Sequence, residues 1–144
     1  MSKMLRAKQQ ADDQDYDYDN RIRRHLANCE ERLSQSDFKL VLKYHEQMIL
    51  TTRKVATISK NLEVIASLSN MIDQEWTTMT RESINTLVAN AMIKYSDNGQ
   101  ETHATYDHKK ILKMFFRFVK RRNRLHKKVG TPDELFDIEQ RQVK

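Results

Sequence analysis

Residues 101–124 read ETHATYDHKKILKMFFRFVKRRNR, and they crowd two histidines, a tyrosine, a double phenylalanine and a dense run of cations into one segment. Four chemistries draw on such groups. Imidazoles bind transition metals, and a basic amphipathic helix can lie on an anionic membrane. An apolar helix face can dock a partner helix, and a row of cations can pair with phosphates. His103 and His108 stand five positions apart. At about 100° per residue on a helix they point to different sides. With no acidic or cysteine partner to complete a tetrahedral set, no metal is expected.

The cations behave differently. His103, Tyr106, Lys110, Lys113, Arg117, Arg121 and Arg124 recur at spacings of three and four, which places them in one stripe, with Lys109 and Lys120 beside it. Ile111, Leu112, Phe115, Phe118 and Val119 cluster on the opposite side, His108 turns toward them, and Phe116 is expected at the boundary. Residues 102–128 hold ten basic residues and one acidic, so this segment alone carries more positive charge than the chain's net +6. Such a field concentrates a polyanion at one surface. A membrane-surface helix would show the same two faces, but the other amphipathic helices need this apolar side to complete a core. Nothing in the sequence supplies a glycine-rich phosphate loop, paired carboxylates on a buried face, or a nucleophile with a base. The chain is therefore not expected to be an enzyme by itself, nor to take a cofactor or a small-molecule substrate.

The elements that must position this helix follow from composition. Two glycines and one proline in 144 residues leave too little turn chemistry for a β-rich fold, so the expectation is all-α. A single cysteine, Cys29, excludes an internal disulfide, and its place in an apolar stripe marks it as a core residue. No apolar run reaches the roughly 20 residues of a membrane span, and a cytoplasmic, nucleoid-associated protein is expected.

Along the chain, residues 1–19 lack a helical apolar stripe and alternate aspartate with tyrosine, which predicts a flexible acidic arm. A first helix is expected from Asp19 or Asn20, with Ile22, Leu26, Cys29 and Leu33 inward. A second starts at Ser34 or Ser36 and presents Phe38, Val41, Leu42, His45, Met48 and Ile49. A third, over about 53–72, buries a seam from Val55 to Ile72. Its outer face, Arg53, Lys54, Thr57, Lys60 and Asn61, is a second candidate DNA contact. A fourth is capped by Thr80, Trp76 plugs the core before it, and Asn98-Gly99 makes a turn. The fifth is the basic helix, over about 102–124. Residues 20–128 then form the domain, and 129–144 a linker or a short docking tail.

One resemblance goes further. The run from Gly99 through Lys120, with Thr105-Tyr106 and then Leu112-Lys113-Met114-Phe115-Phe116-Arg117-Phe118, resembles the core-binding (SAM-like) domain of tyrosine recombinases, the phage-type integrases. The wording YDHKKILKMFFRFVK is similar to that of archaeal integrases, and Phe118 stands where tryptophan is common. The likeness covers about residues 20–128, with the last helix as its specific part. It implies a compact bundle of four to five helices lying across one face of a recombination site, with double-stranded DNA and other recombinase protomers as partners. It also implies that the third and fifth helices touch DNA. The family's catalytic domain, with its His-x-x-Arg pair and attacking tyrosine, is absent from these 144 residues. A helical protein-interaction module, such as a recombinase inhibitor or assembly factor, is the alternative.

Overall fold

Sparse glycine and proline allow long helical runs, and the computed structural model has them. It describes residues 3–51, 53–120, 133–135 and 137–140. Five α-helices occupy them: α1 (Lys3–Arg32), α2 (Gln35–Leu50), α3 (Val55–Ser69), α4 (Arg81–Tyr95) and α5 (His103–Lys120). Two 3-10 turns, Trp76–Thr78 and Asp133–Leu135, complete the order. There is no strand among the described residues, and the protein is an all-α bundle.

α1 departs from expectation. Its helix begins at Lys3 and not near Asp19, so the predicted arm is helical over most of its length. Residues 3–32 contain no glycine or proline and are rich in Leu, Ala, Arg, Lys and Gln, so propensity sustains the helix without an apolar stripe. An ion pair one turn apart, Asp17 to Arg21 at 2.8 Å, spans the expected boundary. Beyond it, Ile22 and Cys29 are buried and turn toward the core as their spacing required. Burial raises the Cys29 thiol to about 11, which leaves it protonated and inert.

α3 is the central element. It packs against α1, α2 and α5, and Ile58, Leu62, Val64, Ile65, Ala66 and Leu68 are all buried on it. A helix contacted on three sides cannot keep a wide polar face. Ser69 accordingly turns its hydroxyl back to the Ile65 carbonyl at 2.7 Å.

The inward face of α2 is Val41, Tyr44 and Met48, whereas Leu42 and Ile49 are exposed. Two stripes at 3–4 spacing overlap on this helix, and the expected one is only partly used. Tyr44 decides the register. Its ring meets Phe115 and Phe118, each at 5.2 Å, and its hydroxyl donates to Asn61 Oδ1 at 2.9 Å. A buried phenol with a partner is a stable anchor.

The expected caps and turn are present. Ser34 accepts from the Asp37 amide, and Thr80 forms a capping box with Ser83. Asn98 (φ 50°) and Gly99 (φ 78°) both lie in the left-handed region, and Asp97 and Gln100 exchange two backbone hydrogen bonds across them. This is the turn geometry that Asn-Gly favours. Trp76 is fully buried as the core plug. Its amide donates to both carboxylate oxygens of the buried Asp37, at 3.2 and 3.1 Å.

Candidate nucleic-acid interface

α5 divides as its phasing requires. Ile111, Leu112, Phe115, Phe118 and Val119 are buried, as is His108. Phe116 is the exception to expectation: it is fully buried, not at the boundary. It can be so because Lys120 covers its ring, with Nζ 5.1 Å from the centroid. The core therefore wraps further around α5 than the apolar residues alone suggest, and it narrows the cationic face.

The cations on that face fall into two groups. Lys110 is exposed, and Tyr106 and Arg117 are half-buried, with the Arg117 Nε covered. Lys60 of α3 lies beside them, 3.9 Å from Asp107 of α5 and 3.8 Å from Glu63 of its own helix. Both distances are loose, and such half-exposed pairs hold Lys60 weakly. One turn and two turns before it, Thr57 and Lys54 are exposed. Lys60 thus brings the exposed face of α3 against α5 at Asp107, one turn before Lys110.

The second group, Lys109, Lys113 and Lys120, meets the C-terminal segment. Lys109 Nζ lies 2.7 Å from Glu101, with both side chains largely buried, and donates to the Glu139 carbonyl at 2.8 Å. Thr105 donates to the other oxygen of Glu101. Lys113 Nζ reaches Gln140 Oε1 at 3.4 Å. Burial, then the neighbouring Arg117 and Lys109, pull Lys113 below the usual lysine range, against the pull of Glu139. Lys120 pairs with Glu134 at 3.3 Å, and Gln140 Nε2 donates to the Tyr106 carbonyl at 3.4 Å. On α4, Arg81 holds the Asp137 carboxylate through Nε (2.6 Å) and Nη2 (2.5 Å), and Asn85 adds a third donor at 2.7 Å. These hydrogen bonds hold the exposed Asp137 carboxyl far below the ordinary range. Leu135 and Ile138 anchor the same segment in the core. Of the two readings of residues 129–144, the described part is a docked tail.

One expected contact residue is turned inward, and another is half-buried. Asn61 is buried: it accepts from Tyr44 and donates to the Thr57 carbonyl at 2.9 Å, so it has no edge to offer a base. Arg53 is half-buried, with its Nε covered and unbonded among the described residues, and lies near Tyr44. Arg121 and Arg124 lie outside the described residues. Arg81, Asn85 and Glu101 were not read from the sequence. The spacing of acid and oil in EL-x-DIE was the available sign that the tail docks.

Chain comparisons were negative. Neither protein-family models nor curated proteins nor solved structures give a match to this sequence.

Among the described residues no helix is long and apolar enough to cross a membrane, and no group of three metal-ligating side chains converges.

Beneath the interface, His108 ties α5 to α3 and α4. Its Nδ1 sits 2.7 Å from the Ala104 carbonyl, which fixes the proton on that nitrogen. Nε2 therefore accepts from Ser67 at 3.4 Å, and Tyr95 donates to Ser67 at 2.8 Å. The Tyr95 ring stacks over the imidazole at 4.4 Å. Burial depresses the His108 pKa first; Lys60 lowers it further, while the Ala104 bond, Asp107 and Glu63 oppose. The unfolded chain thus binds the proton more tightly than the folded one. Stability should be at its plateau above about pH 6.5, the ordinary histidine value, and fall as pH drops below it. Urea midpoints measured from pH 8 to 5 should show this decline, and His108→Gln should flatten it; the half-buried His25 and His45 leave a remainder.

Proposed function

We propose that the chain is a duplex-DNA-binding core domain of the tyrosine-recombinase type, without catalytic residues of its own, and nucleoid-associated for that reason. The observation that carries the reading is the contiguity of the α3 and α5 faces. Lys54, Thr57 and Lys60 on one helix and Tyr106, Lys110 and Arg117 on the other share a surface joined at Lys60 and Asp107. Spaced cations on two packed helices suit the phosphates of a duplex, and Thr57 supplies a neutral donor among them. The recombinase resemblance asks for these two helices on DNA. The burial of Asn61 shifts the balance toward phosphate contacts and away from base readout.

Neutralising about five phosphates gives a slope of log affinity against log salt near −4 to −5. Fluorescence anisotropy with a labelled duplex, between about 50 and 200 mM salt, should return that steep dependence. Salt-insensitive binding, or none, overturns the reading. Leu42, Ile49, Leu50 and Ile93 are exposed apolar residues that favour the second reading, a helical interaction module such as a recombinase inhibitor or assembly factor. A stoichiometric protein partner with no affinity for duplex DNA would select it.

A further inference from the structure

We propose that residues 133–140 are an autoinhibitory strap, an acidic segment that occupies phosphate-binding groups in cis and must be displaced for the full cationic face to engage DNA. The inference rests on the DNA-binding reading and adds its regulation. Three features of the docked tail support it.

The first is where its acceptors fall. Glu134 pairs with Lys120, Gln140 takes Lys113, Asp137 sits in the fork of Arg81, and the Glu139 carbonyl adds to the Glu101 hold on Lys109. Successive oxygen acceptors thus meet cations from two helices, α5 and α4. A phosphodiester backbone offers the same chemistry, oxygens at regular intervals seeking guanidinium and ammonium donors. The second is how the charges are held. The Asp137 carboxylate lies exposed on the surface, and its Arg81 and Asn85 partners are side chains one turn apart at the start of α4. Water and salt reach this clamp, so a competing anion can reach it too. The third is the anchor. Leu135 and Ile138 are buried, 1% and 6% exposed, while Asp137 between them points outward. Oil holds the strap on the bundle and acid lies against cations. A polyanion can therefore compete first for the exposed charged contacts, and once these are lost only the two small apolar anchors hold the strap, which can then leave the bundle.

The test compares the full chain with two variants, Glu134→Gln/Asp137→Ala, which keeps both anchors, and Leu135→Ser/Ile138→Ser, which releases the strap. A matched control, Glu30→Gln/Glu46→Gln, removes the same charge from exposed positions on α1 and α2. Affinity for a labelled duplex is measured at about 100 mM salt. Backbone hydrogen exchange of residues 133–135 and 137–140 is followed with and without the duplex. Both strap variants should bind about tenfold tighter or more, as regained phosphate contacts require, and the control should stay within about twofold of the parent. Saturating duplex should strip protection from 133–135 and 137–140 in the parent chain. If parent and strap variants bind equally and protection is unchanged, the strap is overturned and the DNA reading stands. If the control gains as much as the strap variants, net charge explains the effect and the strap is again overturned. If no form binds the duplex, the DNA reading fails and the strap's role with it. Should the release variant not fold, the anchored variant and the exchange measurement decide alone.

Discussion

Lys60→Glu combined with Lys110→Glu should reduce duplex-DNA affinity by about 60-fold or more at 100 mM salt. The size follows from counterion release. Each phosphate contact contributes roughly 0.9 to the slope of log affinity on log salt, so at 0.1 M a contact is worth about eightfold over the 1 M reference. Losing two gives about 60-fold, and placing carboxylates where phosphates should sit adds repulsion. The two lysines are chosen because one comes from α3 and one from α5; Lys60 pairs only loosely with Glu63 and Asp107, and Lys110 is exposed. The salt slope should flatten by about 2 in the same titration. Lys39→Glu with Lys43→Glu makes an equal charge change on exposed positions of α2 and should have a much smaller effect. Equal losses from both pairs would mean that net charge alone draws the duplex, and the α3–α5 surface would lose its claim. Folding should be intact in each, because the Lys60 pairs are loose and Lys110 is exposed, so circular dichroism serves as the control.

What was legible in the sequence was whatever depends on neighbours one turn away. The Thr80 and Ser34 caps, the Asn98-Gly99 turn, the inward His108 and the apolar side of α5 all follow from local spacing and local chemistry. What was not legible depends on contacts distant in the chain. Asn61 looked like an outward polar residue because its own helix gives no reason to bury it; the reason is Tyr44, seventeen positions earlier. Tyr44 in turn does not stand out in the sequence, because Leu42 and Ile49 make an equally good stripe on α2. Lys109 looked like one cation among many, and only the fold brings Glu101 and the Glu139 carbonyl to it. The helical start of α1 was missed for a different reason. An apolar stripe marks a helix that packs, and residues 3–16 have none, but good helix formers without a breaker can extend a helix that is anchored further along. The cationic surface was thus visible as a charge pattern, while its division into open and covered halves required the tertiary fold.

Phe115→Ala should be the most damaging single core change, costing about 3–5 kcal/mol. Phe115 is fully buried at the meeting point of three elements. It takes Trp76 edge-on at 5.1 Å and 84°, meets Tyr44 at 5.2 Å and 70°, and stacks with Phe118 at 6.5 Å. Edge-to-face pairs add to plain burial, and removal of the ring leaves a void that the aromatic neighbours cannot close without leaving their rotamers. A domain of this size has roughly 5–15 kcal/mol in total, so the loss is a large share, and the urea midpoint should drop steeply. DNA binding separates this effect from that of charge reversal. Phe115 touches the core and not the cations, so affinity should fall only in proportion to the fraction unfolded, and the salt slope of the folded fraction should match the parent's. A flattened slope in Phe115→Ala would instead mean that the aromatic cluster sets the α3–α5 spacing on which the phosphate contacts depend. Measuring both variants under one set of salt conditions distinguishes a surface built on a rigid core from one that the core continuously adjusts.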